Sequence, residues 1–309
     1  MSFSSDAKRE ITQRKLAKPC CARAACYGMA CFAKYFDTRG IVIQTEMESV
    51  AAYAHKMFQR CGVQGETVEK VRPNGTLYEF AVKDPDEVAK LHALFGTTGA
   101  EVNLQIDPDL LTGLHCVSAF VAAAFLCGGT ATDPQKEYSL EFLSNRTTLS
   151  HDFEALLAEH EFSPHRTRRK GMNLVYVKAS DHVEDLLTFM GASNASIQLM
   201  NEKALKSVRN QVNRRSNCEM ANIGKTAAAY GNALKAIRYL EAEGALDTLP
   251  ESLQEAARRR LENPGLTLAQ LAKTFTPEIS KSGLSHRIKK LETLAAELQE
   301  RKAKALQDE

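Results

Sequence analysis

An acid-free run of basic and small polar residues lies near the end of the chain and could bind a polyanion. The ten residues from Lys281 to Lys290 (KSGLSHRIKK) contain no Asp or Glu. At 100° per residue, Leu284, Ile288 and Leu291 fall on one face of a helix. The opposite face then carries cations and small hydrogen-bond donors, whereas a solvated face normally mixes both signs of charge. This pattern predicts a helix that binds DNA.

Each polar position on this helix suits one kind of DNA contact. Lys289 and Lys290 suit phosphates, and the small donors could reach base edges. Arg287 flanks the apolar face and is expected to reach the DNA backbone. The full predicted contact set is Lys281, Ser282, Ser285, His286, Arg287, Lys289 and Lys290. The alternative is an ordinary solvated helix of a bundle.

A second, shorter helix is predicted directly before this one. Thr267 and Gln270 form the sequence signature of a capping box, in which an N-cap side chain and the third helical residue bond each other's backbone N–H. This helix is expected to end at about Thr274–Phe275, just before Thr276-Pro277, and Ser280 can cap the next one. Two helices joined by a tight turn, the second longer, predict a helix-turn-helix.

Two weaker groups could also contact DNA. Asn213, Arg214 and Asn217 lie close together on a helical segment, where the favoured interpretation is capping and interdomain hydrogen bonding. Arg168 and Arg169 crowd one hairpin, where a charge run is usually a solvated surface. Both groups are kept as possible secondary DNA contacts.

The eight cysteines predict reduced thiols rather than a metal site. No two of them have C-x-x-C spacing, and small buried thiols are common in a reducing compartment. Cys20 and Cys21 with Cys26 and Cys31 could suggest zinc, but zinc sites usually use paired ligands on turns. We therefore expect no metal site. We also expect no cofactor and no catalytic residues.

Composition limits the class of protein. The chain has 309 residues, of which 44% are hydrophobic and 25% charged, which excludes a disordered, collagenous or wholly coiled-coil chain and allows about two domains. Its longest apolar run, Cys116–Gly129, is too short to span a bilayer, and the polar N-terminus lacks a signal peptide, so a cytoplasmic protein is expected. Residues 201–309 hold 19 Lys and Arg against 14 Asp and Glu, a net +5, whereas residues 1–200 hold 21 against 24, a net −3.

The first two hundred residues contain a duplication with an offset of 95. Lys83 and Asp86 match Lys178 and Asp181, and each half predicts the same order of elements, α-β-α-β-β-α, in which a further strand could have been missed. Asn74-Gly75 and Lys170-Gly171 predict tight hairpin turns. The predicted elements are helices 20–36 and 114–127, strands 40–45 and 138–143, helices 49–61 and 149–161, hairpins 66–82 and 164–177, and helices 84–95 and 181–190.

The opening helix of each half is rich in small residues, which lets two helices approach closely. The segment from Phe120 to Thr130 (FVAAAFLCGGT), followed by a strand, resembles a degenerate LAGLIDADG motif. In that family of homing endonucleases, an acid at the foot of each helix binds the catalytic metal. The equivalent positions here are Gly128 and, roughly, Phe32, which cannot ligate Mg²⁺. Asp37 and Asp133 lie several residues beyond, so the resemblance implies the scaffold without the nuclease.

The chain as a whole resembles the bacterial WhiA family, regulators of sporulation and cell division in Gram-positive bacteria. The residues that carry this resemblance are the opening MSFSSDAKREI, Cys20-Cys21, Asn210–Arg214, Asn217–Asn222, Arg260–Pro264 and Ser280–Arg287. It implies an α+β fold, with a duplicated LAGLIDADG-like α/β domain of pseudo-two-fold symmetry followed by an all-α helix-turn-helix domain. The expected boundaries are an N-terminal arm 1–19, the duplicated domain 20–195 (halves about 20–100 and 110–195), a linker helix 196–220, the helix-turn-helix domain 221–300 and a polar tail 301–309.

The resemblance implies sequence-specific binding of double-stranded DNA, linked to transcription, cell division and chromosome segregation, without enzymatic activity. RNA polymerase or another transcription regulator is a possible partner, a membrane is not, and the duplication makes a monomer plausible. The alternatives are an active LAGLIDADG endonuclease and a protein-interaction scaffold of the division machinery.

Overall fold

Two units, each with its own apolar core, make up the chain. A computed structural model describes residues 2–73 and 75–305, together with their side chains except those of residues 223, 225–227, 229 and 305. The units comprise residues 1–207 and 208–309. Their boundary lies inside the segment for which the sequence predicts a linker helix, and the last four residues of the predicted polar tail, 306–309, lie outside the described part.

The first unit contains two equivalent antiparallel sheets, as the duplication predicts. Their strand orders are β1-β2-β4-β3 and β5-β6-β8-β7. The strands are β1 Tyr35–Asp37, β2 Gly40–Thr45, β3 Glu66–Arg72, β4 Gly75–Val82, β5 Gly129–Ala131, β6 Leu140–Ser144, β7 His165–Arg169 and β8 Met172–Val177. The helices are α1 Phe3–Gln13, α2 Pro19–Cys31, α3 Glu48–Arg60, α4 Pro85–Phe95, α5 Leu114–Gly128, α6 Thr147–Glu159 and α7 Ser180–Met190.

Turn chemistry fixes the register of the two long hairpins. In the second half Arg169 pairs with Met172, so Lys170 and Gly171 form a two-residue turn, and both have positive φ (+50° and +81°). Two successive positive φ values match the twist of the flanking strands. In the first half Arg72 pairs with Gly75, so Gly75 is the first residue of β4 and not part of the turn as predicted, and Asn74 lies outside the described residues.

Helices α2 and α5 pack against each other because the backbone at Gly28 leaves room. A Cβ added at Gly28 would lie 2.4 Å from the backbone oxygen of Phe120 and 3.1 Å from Cβ of Ala123. Alanines flank this contact on both helices and are buried. The predicted close approach of the two small-residue helices is therefore confirmed.

The structure corrects three details of the first unit. Helix α2 ends at Cys31 instead of Phe36, because residues 35–37 form the short strand β1, and β5 is its counterpart in the second half. The predicted N-terminal arm contains helix α1, whose N-terminus has a capping box between Ser2 and Ser5. Phe3 and Ile11 on α1 are buried in the core of the unit, so this segment is part of the folded domain.

Helix α8, Ser193–Ala242, is continuous over 50 residues. The sequence instead predicts a linker helix over 196–220 that ends before the helix-turn-helix domain. No proline interrupts the segment, and a glycine inside a helix costs only about 1 kcal/mol, so Gly224 and Gly231 do not break it. Among the described residues, no helix combines the length and apolar composition needed to cross a membrane.

The second unit is helical and has a buried arginine at its centre. Its further helices are α9 Glu251–Glu262, α10 Leu268–Ala272 and α11 Lys281–Ala305. Arg260 is only 1% exposed. Its Nη1 donates to the backbone oxygen of Leu266 at 2.7 Å, and its guanidinium lies 4.5 Å from the ring centroid of Tyr230. Burial lowers the pKa of Arg260. This side chain therefore ties α9 to the loop that precedes the helix-turn-helix.

We expect Gly28→Ala to lower the free energy of unfolding by about 1–3 kcal/mol, because the new methyl group meets backbone that cannot move aside cheaply. Gly231→Ala is the matched control, since a Cβ there meets no atom within 4 Å and should stabilise its helix by up to about 1 kcal/mol. Denaturant unfolding of both variants measures the difference. Equal effects would contradict the proposed contact.

We expect Arg260→Ala to destabilise the second unit by about 2–3 kcal/mol, since it leaves a cavity and a carbonyl without its donor. Arg258→Ala is the control, because Arg258 is exposed on the same helix and should change stability by no more than about 0.5 kcal/mol. Thermal and denaturant unfolding followed by circular dichroism would measure both. A similar loss in the two variants would show that Arg260 has no special role.

Candidate nucleic-acid interface

The first helix of the predicted helix-turn-helix begins at a complete capping box. The backbone N–H of Thr267 donates to Oε1 of Gln270 at 3.0 Å, and the N–H of Gln270 donates to Oγ1 of Thr267 at 3.3 Å. Helix α10 then buries Leu271 and Ala272 in the core of the unit. It ends at Ala272, about two residues before the predicted end, but it starts after Thr267 as predicted.

Arg259 fixes the turn between the two helices, a role that sequence analysis missed. Its Nη1 donates to the backbone oxygen of Thr274 at 2.6 Å, and its guanidinium lies 5.5 Å from the ring centroid of Phe275. Phe275 is itself buried. The run of three arginines at 258–260 was the available signal, although it did not show which of them would bond to backbone carbonyls.

Helix α11 begins at Lys281, directly after Ser280, and presents the predicted face to solvent. The N–H of Gly283 donates to Oγ of Ser280 at 3.0 Å, which confirms the predicted cap. The apolar stripe Leu284, Ile288, Leu291 and Ala295 is buried. Of the seven predicted contact residues, five are exposed and two, Ser285 and Arg287, are half-buried. The exposed ones are Lys281, Ser282, His286, Lys289 and Lys290.

The position of Arg287 follows from its place beside the core. Its guanidinium lies 6.0 Å from the ring centroid of the buried Phe275, and the side chain is half-buried, so its charge lies at the edge of the exposed face. This agrees with its predicted place beside the apolar stripe.

The cations of this face form no ion pair with the described residues of the second unit. Among the described residues of the second unit, the ion pairs join Arg215 with Glu219, Arg259 with Glu255, and Lys302 with Glu243. None of these pairs includes a cation between 281 and 290. We call the exposed face of α11 from Lys281 to Lys290 the basic face. Its cations are therefore accessible to an external anion.

The secondary candidates are exposed but lie elsewhere on the chain. Asn213, Arg214 and Asn217 are exposed on α8. Arg168 and Arg169 are exposed on β7, where Arg169 lies 3.8 Å from Glu141. The adjacent Arg166 donates to Glu154 at 2.9 Å. Part of the hairpin's positive charge is therefore compensated, which weakens it as a polyanion site.

At the foot of α2 and α5, where the resemblance would place catalytic acids, the side chains cannot bind a metal. Phe32 packs edge-on against Phe153, with ring centroids 5.0 Å apart. A Cβ at Gly128 would lie 2.7 Å from the backbone oxygen of Leu143, so this position has no space for a carboxylate side chain. The described lining of the cavity here, about 460 Å³, contains no Asp or Glu.

A lysine lines this cavity, and sequence analysis did not identify it. Nζ of Lys8 on α1 donates to the backbone oxygen of Leu126 at 3.2 Å and lies 5.5 Å from the Phe125 ring centroid. Burial lowers the pKa of Lys8. The acids that follow Phe32 and Gly128 in the sequence are engaged elsewhere. Oδ2 of Asp37 pairs with Nη2 of Arg39 at 2.6 Å, and Asp133 accepts from the backbone N–H of Gln135.

Comparison with known proteins matches both parts of the chain. Residues 117–209 match the model of the WhiA LAGLIDADG-like domain, and residues 212–295 match that of the WhiA C-terminal helix-turn-helix domain. A probable cell division protein WhiA from Alkaliphilus metalliredigens is 30% identical over 96% of this chain and 98% of its own. Another from Alkaliphilus oremlandii is 31% identical over 98% of this chain and 100% of its own.

A solved structure has the same fold. Full-length WhiA from Thermotoga maritima superposes with a TM-score of 0.61 at 19% identity, covering 96% of this chain and 99% of the other. The α+β fold class, with a LAGLIDADG-like domain followed by a helix-turn-helix region, is confirmed. On its sequence and its two domains, the chain belongs to the WhiA family.

Proposed function

We propose that this protein is a sequence-specific DNA-binding regulator of transcription that acts in cell division and chromosome segregation. The observation that supports the proposal best is the basic face of α11: it is exposed, lacks acids and lies on the second helix of a helix-turn-helix. A major groove about 12 Å wide admits such a helix.

Each residue of the basic face has a proposed role. Lys281, Lys289 and Lys290 bind phosphates and set the position of the helix on the duplex. Ser282 and His286 project from the exposed side and read base edges, together with the half-buried Ser285. Arg287 reaches the DNA backbone from the edge of the helix. Asn213, Arg214, Asn217, Arg168 and Arg169 are proposed as secondary contacts.

A regulator of this kind also needs a link to transcription. We propose RNA polymerase or another transcription regulator as the partner, and a monomer as the binding species, because the duplicated domain already pairs its two halves within one chain. The cytoplasm, where the nucleoid lies, is the proposed location.

We expect Lys289→Gln/Lys290→Gln to weaken binding to genomic DNA fragments uniformly across sequences. Each lost phosphate contact should reduce the slope of log K against log salt by about 0.9, so the double variant should lose about 1.8. Arg301→Gln/Lys304→Gln, on exposed residues at the far end of the same helix, is the control and should keep the slope. Fluorescence anisotropy at several salt concentrations gives both values, and an unchanged slope in the first variant would disprove the docking.

We expect the purified protein to leave supercoiled plasmid and its own bound fragments uncut in Mg²⁺ or Mn²⁺. The reason is physical: Phe32 and Gly128 supply no carboxylate oxygens, and Lys8 brings a hydrogen-bond donor to the cavity. Gel electrophoresis after long incubation measures cutting. Metal-dependent cleavage that co-purifies with the protein and is abolished by Lys8→Ala would overturn this part of the proposal and favour the endonuclease.

A further inference from the structure

Four potential metal ligands meet where α2 and α5 begin. They are Cys20, Cys21, His115 and Cys116, and their ligand atoms all lie within 4.8 Å of one another. Nδ1 of His115 is 3.1 Å from Sγ of Cys116 and 3.7 Å from Sγ of Cys21. Cys21 and Cys116 are buried, whereas Cys20 and His115 are half-buried. The cluster therefore lies at the edge of the core, open to an ion from solvent.

The cluster lies on the axis of the duplication. Its two pairs are related by the offset of 95 that relates the two halves, since Cys20 corresponds to His115 and Cys21 to Cys116. Each pair occupies the second and third positions of its helix, within the first turn. Two helices that pack closely at their pseudo-two-fold axis thus bring together two ligand pairs that are 95 residues apart in the sequence.

The distances suit tetrahedral zinc. Zn–S bonds of about 2.3 Å and Zn–N bonds of about 2.0–2.1 Å place tetrahedral sulfurs about 3.8 Å apart, and sulfur and nitrogen about 3.5 Å apart. The two measured sulfur–nitrogen separations lie on either side of the latter value. Small shifts of the half-buried side chains would complete the geometry.

The charge balance also favours a zinc complex. Three thiolates and a neutral imidazole give Zn²⁺ a net charge of −1. Both ligand pairs lie in first helical turns, where unpaired backbone N–H groups and the helix dipole stabilise negative charge. The hydroxyl of Thr112 lies 3.6 Å from Sγ of Cys116 and can donate to a thiolate there.

A disulfide explains the cluster less well. It would join two of the three sulfurs and leave the third beside an imidazole nitrogen that has no role. Cys26 and Cys31, which the sequence groups with Cys20 and Cys21, do not belong to the cluster, and Sγ of Cys26 lies 3.7 Å from Sγ of Cys61.

We propose that Cys20, Cys21, His115 and Cys116 form a structural zinc site that fastens the two halves of the LAGLIDADG-like domain at their pseudo-two-fold axis. All four coordination positions are taken by protein, which is the arrangement of structural rather than catalytic zinc. This reverses the expectation from the sequence that the chain holds no metal. It does not depend on the proposed DNA binding.

The test uses untagged, full-length protein purified without chelator. Elemental analysis should find about one zinc ion per chain. Cobalt added after zinc removal should give the intense visible bands of a tetrahedral, thiolate-rich site. Chelation should lower the thermal midpoint, and zinc should restore it. A wild-type protein that holds no zinc and gives no tetrahedral cobalt spectrum would overturn the proposal, as would an intramolecular disulfide in freshly purified protein.

Variants assign the site to these residues. Cys20→Ser and Cys116→Ser should each abolish the cobalt spectrum, whereas Cys61→Ser, a half-buried cysteine of the same unit that contacts Cys26, should leave it unchanged. His115→Cys should keep the metal and strengthen the thiolate-to-cobalt absorption, because it replaces the imidazole ligand with a fourth thiolate. Circular dichroism checks that each variant is folded. Metal that persists in Cys20→Ser and Cys116→Ser would place the ion elsewhere and disprove the site.

Discussion

The close approach of α2 and α5 is the constraint on which the first unit depends. The two helices come from different halves of the duplication, and they touch because Gly28 lets backbone meet backbone beside Phe120. Interiors are packed densely, so this contact fixes the helices along their whole length. This contact determines what lies at each end of the helix pair. At the N-terminal ends, the first turns bring Cys20, Cys21, His115 and Cys116 together. At the C-terminal ends lies the cavity lined by Phe32 and Gly128.

The two ends of the α2–α5 pair therefore carry different kinds of side chain. At the foot, an aromatic ring and a crowded glycine occupy the positions where a nuclease of this fold would need carboxylates, and Lys8 contributes an amine with a pKa lowered by burial. The described lining of this cavity therefore supplies no carboxylate oxygen for Mg²⁺. The DNA-binding role is instead assigned to the second unit, where the exposed cations of α11 have no acidic partner among the ion pairs described there.

Much of this architecture was predictable because it rests on local signals. The turn Lys170-Gly171, the capping box at Thr267 and the apolar stripe from Leu284 each depend on residues close in sequence, and all three are confirmed. Strands β1 and β5 were missed because three residues show no periodicity. Helix α1 could have been found from its Ser2 cap and from the 4-residue spacing of Phe3, Ala7 and Ile11.

The ligand cluster was missed for a different reason. Cys20 and His115 are 95 residues apart, so no spacing rule that searches along the chain connects them. The duplication offset is the sequence signal that joins the two pairs, since it relates Cys20 to His115 and Cys21 to Cys116. The DNA contacts of α11 are predicted from exposure and charge, and the sequence periodicity indicates which side chains are exposed. The hydrogen bond from Arg166 to Glu154, which compensates positive charge on the hairpin, could be found only from the coordinates.

The pairing of α2 with α5 also determines the order in which the nascent chain can complete its core. When α2 leaves the ribosome, the helix that must cover its small-residue face has not yet been made. Synthesis at about 5–20 residues per second leaves that face without its partner for about 5–20 s, until the corresponding segment of the second half emerges. During translation the first half therefore exposes the small-residue face of α2, which is buried in the folded protein.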